Sequence, residues 1–297
     1  MMSGIPLRVS RACAAAVFAL VSSPAGAQTS GSGSRTGHGP HVRVELIADR
    51  AVPGPGMRLG LKFELDPEWH IYWQNPGDSG GPPEAVWTFP PGMMAAGIEW
   101  PAPERIDIGG LVNYGYHNRV VLPVAIAVAA DARMPQAFTV RASLRWMACA
   151  NLCVPGKADL ALTFPLRAGE SGQVAGWKAA IDEARSQVPK PAPAAWRAWT
   201  SLVGDTFVVD VVTGSREHAA VFFPLDQSQV NDSAAQSVTP LSNGVRLALQ
   251  KSSQLAKDPG ALRGVLSLPG GRAFTIEAPV KQGSQEAVDR SQKPEDR

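Results

Sequence analysis

Met57, Leu59, Leu61, Phe63 and Leu65 alternate with Arg58, Gly60, Lys62 and Glu64, and this period of two decides most of what the chain can fold into. Successive strand side chains point to opposite faces, so such a run is a half-buried strand, whereas an amphipathic helix needs spacings of three and four. The texture recurs at Val42–Leu46, Val120–Val128, Phe138–Trp146 and Leu160–Leu166, and Trp69, Ile71 and Trp73 continue it. Pro123 predicts an edge position for its strand, because proline cannot donate to a ladder. Asn75–Pro83 (NPGDSGGPP) reads as a turn or long loop, and 29 glycines with 26 prolines supply punctuation for many short strands. Strands and turns without intervening helices indicate an antiparallel sandwich.

One stretch differs. Val174, Trp177, Ile181, Ala184 and Val188 recur at spacings of three and four, which predicts one amphipathic helix within 172–189. Pro189, Pro191 and Pro193 end it and form a stiff linker. Beyond Trp199 alternation returns in Phe207, Val209 and Val211, with further short strands at 220–223, 245–249, 265–268 and 274–276. The expected class is all-β: a first sandwich over 41–168, a helix and Pro-rich linker over 169–199, and a smaller β domain over 200–280. The Gly/Ser-rich residues 28–40 read as a flexible leader, and 281–297 as a polar, disordered tail.

Residues 1–27 have the grammar of a secretory signal peptide: Arg8 and Arg11, an apolar middle from Ala12 to Val21, and the small residues Ala25-Gly26-Ala27. The apolar run is too short to span a bilayer, and no second run of 18 or more apolar residues follows. The expectation is a mature chain with no transmembrane segment, exported to a bacterial periplasm. Of 28 basic residues, two leave with the leader, so 26 remain against 26 acidic. A neutral chain gives no electrostatic reason to expect nucleic acid or anionic lipid as a partner.

Of the 3 cysteines, Cys13 falls in the leader, which leaves Cys149 and Cys153. In an oxidising compartment this pair is the focus. A structural bridge closing so short a ring stabilises by roughly 2 kcal/mol on the chain-entropy model, against about 4.7 for a hundred-residue loop. Two nearby thiols could equally exchange disulfides, one attacking and one resolving. Two thiolates four residues apart could also hold Cu(I), whereas structural zinc wants four ligands and His70 and His117 are distant in sequence. The residues alone leave all three readings open. The tryptophans at strand periodicity read as core, and His70 as exposed or hydrogen-bonded rather than catalytic. Asn113–His117 looks like a loop before a strand. Nothing matches a Ser-His-Asp set, a paired-carboxylate site or a phosphate loop.

Four motifs together carry a resemblance: HIYWQNPGDSGGP (70–82), WPAP (100–103), YGY (114–116) and WMACANLCVPG (146–156). They resemble the N-terminal periplasmic domain of DsbD-type thiol:disulfide interchange proteins, most closely the ScsB-like branch linked to copper-stress tolerance. The resemblance is dense over 41–168 and thinner over 200–280, where that branch carries a second β domain. It implies immunoglobulin-like sandwiches and a redox pair matching Cys149 and Cys153, in a thiol:disulfide oxidoreductase without organic cofactor or metal. Electrons would come from a separate membrane thiol reductase or thioredoxin-like protein and pass to a periplasmic oxidoreductase client. In the family a cap loop shields the pair, and its Tyr-Gly element matches Tyr114-Gly115. Asn113, Tyr114, Gly115 and Tyr116 are therefore expected to fold over the sulfurs, with the Tyr114 ring covering them. Two departures stand out: Asn113 replaces the family's phenylalanine, and the cysteine spacing is shorter than in DsbD itself, though it suits the ScsB-like branch. Family members usually continue into eight transmembrane helices and a thioredoxin-like domain, and this chain ends after the soluble part. The alternative expectation is a non-enzymatic binding module, for Cu(I) or a partner protein, with a structural disulfide.

Overall fold

The computed structural model describes residues 34–281 together with Met1. The expected signal peptide and the tail beyond Lys281 lie outside the described residues. In chain order the first strands are β1 (Thr36–Gly39), β2 (Val42–Ala48), β3 (Arg58–Leu65), β4 (His70–Gly77), β5 (Glu84–Thr88), β6 (Met93–Ile98), β7 (Glu104–Ile108), β8 (Leu111–His117), β9 (Arg119–Val128), β10 (Phe138–Cys149) and β11 (Cys153–Phe164). Helices α1 (Ala168–Ser171) and α2 (Val174–Ser186) follow. The remaining strands are β12 (Lys190–Pro191), β13 (Arg197–Val203), β14 (Thr206–Val212), β15 (Val221–Pro224), β16 (Ser237–Leu241), β17 (Gly244–Gln250), β18 (Ala261–Leu268) and β19 (Arg272–Lys281).

The protein is all-β in antiparallel sheets of immunoglobulin-like character. One sheet runs β1-β2-β3-β9-β6 and a second runs β11-β10-β4-β8-β7, with β5 also on β10. The alternating residues close the space between them. Leu59, Leu61 and Phe63 are fully buried, and Phe63 meets Trp146 of the opposite sheet edge-on at 5.9 Å. Strand β2 is buried on both faces because α2 lies on its outer side through Trp177, Ile181 and Ala184. Gly60 makes room for that helix, since a Cβ there would come within 3.1 Å of Ile181.

Strands β15-β18-β19-β13-β14-β17-β16 form a third sheet, antiparallel apart from β13 and β12, which each run parallel to β19. Its own core gathers Phe207, Val209, Val211, Leu247, Leu262 and Leu266. It is tied to the second sheet of the first sandwich. Phe223 packs edge-on against Tyr114 at 5.2 Å and Trp73 at 6.3 Å, and the buried Asn75 Nδ2 donates to the Pro224 carbonyl at 2.8 Å.

Three expectations need correction. The glycine-rich leader is not flexible throughout, because Thr36–Gly39 pairs with Val42–Glu45. Its glycines serve close approach: a Cβ on Gly37 or Gly39 would fall 2.4 Å from Ala158 or 2.7 Å from Trp146. Pro123 is not on an edge strand, since β9 pairs with both β3 and β6. A strand residue aims its N–H and C=O to the same side. The Pro123 carbonyl accepts from Glu99, just past the end of β6, so the missing donor faces a place where the ladder has run out. Finally, the stiff segment is more than a linker, for Lys190 and Pro191 pair with Phe274 and Thr275 and join the third sheet.

Candidate functional site

Strands β10 and β11 form a long hairpin whose last pair is Cys149 opposite Cys153, with Ala150–Leu152 as its tip. The two cysteines are joined by a disulfide. Their surroundings differ sharply. Cys149 is 1% exposed, whereas Cys153 and Leu152 at the tip are exposed, Leu152 by 60%. Gly156 on the returning strand lets the Trp146 ring lie against the backbone, since a Cβ there would fall 2.3 Å from it.

Strand β4 touches β10 at only two pairs, Ala148 with Ile71 and Cys149 with His70. This short contact builds the site. Residues directly opposite in a ladder share a face, as do residues two apart in one strand. His70 and Tyr72 therefore stand on the outer face beside Cys149, while Ile71 and Trp73 point into the core. Tyr72 Oη donates to Cys149 Sγ at 2.7 Å and lies 3.6 Å from Cys153 Sγ. Burial pushes the Tyr72 phenol above its ordinary pKa, with a hydrogen bond to Ser79 acting the other way. It therefore stays a donor. Gly80, at φ +78°, lies flat on the Tyr72 ring, where a Cβ would fall 2.0 Å from it. The NPGDSGG segment is thus held against the ring whose hydroxyl meets the buried Cys149 sulfur.

His70 is fully buried, and neither ring nitrogen finds a hydrogen-bond partner among the described residues. Its ring lies 5.1 Å from Tyr72 and 5.8 Å from His117, its cross-strand neighbour on β8. Burial, and then the charge of His117, lower its pKa to about 4. The imidazole is neutral at ordinary pH.

Cys149 and Cys153 are brought together as expected, but Asn113–Tyr116 are not a loop over them. All four lie within β8. Tyr116 pairs with Ile71, so Tyr116 and Tyr114 share the core face, away from the sulfurs. Tyr114 Oη donates to Asp232 Oδ1 and Tyr116 Oη to the Pro101 carbonyl, both at 2.8 Å. Asn113 Oδ1 accepts from Ser79 Oγ at 2.9 Å, and Gly115 sits opposite Tyr72. The aromatic cover is Tyr72, and His70 is a buried site residue rather than an exposed or hydrogen-bonded one. The sequence signal was the alternation in His-Ile-Tyr-Trp, which puts His70 and Tyr72 on one face. Among the described residues no group of three or more His, Cys, Asp or Glu is placed to hold a metal ion.

A family model for the N-terminal part of the thiol:disulfide interchange protein DsbD matches residues 43–165. These residues form a DsbD-type N-terminal domain. Among solved structures, the N-terminal periplasmic domain of ScsB from Proteus mirabilis superposes with a TM-score of 0.63 at 19% identity, over 84% of this chain and 98% of that one. That likeness shows a shared fold that takes in the third sheet as well. The YadV chaperone covers 75% of this chain and 91% of its own at 7% identity, but its TM-score of 0.20 carries no argument. No curated protein matches the chain. Among the described residues no helix is long and apolar enough to cross a membrane.

The DsbD-type hairpin and its neighbours suggest what Tyr72 does. A hydroxyl donating to sulfur stabilises a thiolate more than a disulfide, because bonds to charged groups are about twice as strong. Tyr72→Phe should therefore make the pair harder to reduce. A net loss of about 1.4 kcal/mol in the reduced form corresponds to roughly 30 mV toward more negative potential for a two-electron couple. Equilibration against glutathione buffers measures it, and an unchanged or more positive potential would contradict this role.

Proposed function

We propose that this chain is a periplasmic thiol:disulfide exchange protein, exported through residues 1–27, that relays electron pairs through Cys149 and Cys153. The observation that carries the reading is the asymmetry of the pair: one cysteine exposed at a hairpin tip, the other buried under a hydroxyl donor. A thiolate of the donor, a thioredoxin-like protein or separate membrane thiol reductase, attacks Cys153 Sγ. A mixed disulfide forms, and the Cys149 sulfur leaves as a thiolate beside Tyr72 Oη. The donor's second thiol then displaces Cys153, so the donor is oxidised to a disulfide and the pair is reduced to a dithiol. Exchange with a periplasmic oxidoreductase client runs the same steps in reverse, with Cys153 attacking the client disulfide and Cys149 closing the ring. Residues 41–168 carry the chemistry, and residues 200–280 form a second β domain that braces the sheet bearing β4 and β8.

Trapping tests the reading. Cys149→Ala leaves Cys153 without a resolving partner and should accumulate reducible higher-mass adducts on non-reducing gels of periplasmic extract. Cys153→Ala, with its remaining sulfur buried, should give few. If neither variant yields an adduct and the pair's potential lies below about −300 mV, the bridge is structural and the binding-module reading replaces the relay.

A further inference from the structure

The outer face of the second sheet carries a row that the exchange steps above leave unused: Cys149 on β10, His70 on β4 and His117 on β8, each directly opposite the next in the ladder. Directly opposed side chains stand about 5 Å apart at Cβ. His70 in the middle is fully buried with both ring nitrogens unpartnered among the described residues. A buried imidazole without a hydrogen bond is costly, and such an orphan beside a reacting sulfur points to a partner that appears only when the sulfur changes state. The titratable groups facing it are Tyr72 on its own strand, Cys149 on β10 and His117 on β8. His117 is partly exposed, with Nδ1 3.1 Å from Glu104 Oε2.

We propose that His70 is the proton acceptor for the Cys149 thiol when that sulfur closes the disulfide. The inference rests on the exchange reading and deepens it. In the reduced chain the Cys153 thiolate attacks a client disulfide, forming Cys153–S–S–client and releasing the client's other sulfur as a thiolate. The Cys149 thiol must then lose its proton inside the protein, where burial disfavours the thiolate. Its proton moves to a His70 ring nitrogen, the sulfur attacks Cys153 Sγ, the Cys149–Cys153 bond forms, and the client sulfur departs as a thiolate. The proton on His70 goes to that leaving sulfur or, past His117, to solvent. Two electrons have passed to the client and one disulfide has replaced another. A neutral imidazole at working pH, as burial dictates here, is the state this role requires. Tyr72, already a donor to the same sulfur, stabilises the charge and cannot take the proton.

An aromatic disulfide, dithiobis(nitrobenzoate), separates the steps on the full chain. The reduced protein releases one coloured thiolate when Cys153 attacks and a second when Cys149 closes the ring. His70→Gln should leave the first phase unchanged and slow the second by roughly 100-fold at neutral pH. Its second phase should then climb about tenfold per pH unit below the thiol pKa, while the wild type stays nearly flat. Equal second phases with equal slopes, or both phases slowed alike, would overturn the proposal. If His70→Gln does not fold, the wild-type chain decides: the His70 ring, followed by NMR, should titrate at higher pH in the reduced chain than in the disulfide form, and an unchanged titration refutes the role. Ring closure with this probe needs no client, so a failed relay and a failed role for His70 remain separate results.

Discussion

Gly115→Ala should lower the stability of this chain by about 3 kcal/mol or more, because the added methyl has nowhere to go. A Cβ at position 115 would fall 2.1 Å from the Ile71 carbonyl oxygen and 3.3 Å from the Tyr72 Cα. These are backbone atoms of β4 and cannot swing aside as a side chain would. The β4–β8 ladder has little to absorb the strain, since its register already shifts between Tyr72 and Gly77. For a protein of this size the loss corresponds to a fall of roughly 10 °C in the unfolding midpoint. The damage should reach the site, because β4 carries both His70 and Tyr72. With its shield displaced, the disulfide should be reduced faster by glutathione. Gly81→Ala is the control: nothing lies within 4 Å of a Cβ there, and its effect should stay within about 0.5 kcal/mol. Thermal unfolding of the three chains checks this, and a Gly115→Ala midpoint within about 2 °C of the wild type would remove the argument.

Gly115 also shows what the sequence reveals and what it hides. The half-buried strands are legible because alternation is a property of one strand alone: Leu59, Leu61 and Phe63 could be assigned to the core without knowing their neighbours. The cysteine pair is legible because its spacing is local. The rest of the site depends on which strand lies opposite which, and in what register. Tyr72 and Tyr114 are both aromatic residues on paired strands. Only the pairing of Tyr116 with Ile71 and Gly115 with Tyr72 puts one ring on the sulfurs and the other against the third sheet. The sequence points to a surface or satisfied histidine at His70 because the strands that bury it, β8 and β10, are far away in sequence. Gly115, expected in a loop over the sulfurs, is instead a place where two strands come too close for a side chain. Pro123 misled for the same reason, since a local rule about edges cannot see where a neighbouring strand ends.

Asp232, where the third sheet meets β8, should make stability depend on pH in a direction opposite to most carboxylates. It is 7% exposed, and its Oδ1 accepts from Tyr114 Oη. Burial raises its pKa to about 6; the Tyr114 hydrogen bond opposes that rise, Asp78 adds to it and Arg105 opposes it again. In the unfolded chain the same group titrates near 3.9. Between about pH 4 and pH 6 the folded state therefore holds more protons than the unfolded state, so this group's contribution falls as pH rises through that window and its cost is complete above it. The cost is about 2 kcal/mol once partial relaxation is allowed for. Asp232→Asn keeps a carbonyl for Tyr114 and removes the buried charge. It should gain about 1–2 kcal/mol over the wild type near pH 8 and almost nothing near pH 4. Asp232→Ala should instead lose about 1–3 kcal/mol near pH 4, because it strands the Tyr114 hydroxyl without an acceptor, and most of that deficit should vanish near pH 8, where the wild type bears the buried charge. Denaturant unfolding of the three chains across that range isolates the group, since every other carboxylate cancels in the difference. An Asn variant no more stable than the wild type at pH 8, or a difference that does not grow with pH, would show that Asp232 stays solvated and that the third sheet grips β8 less tightly than the Tyr114–Asp232 bond requires.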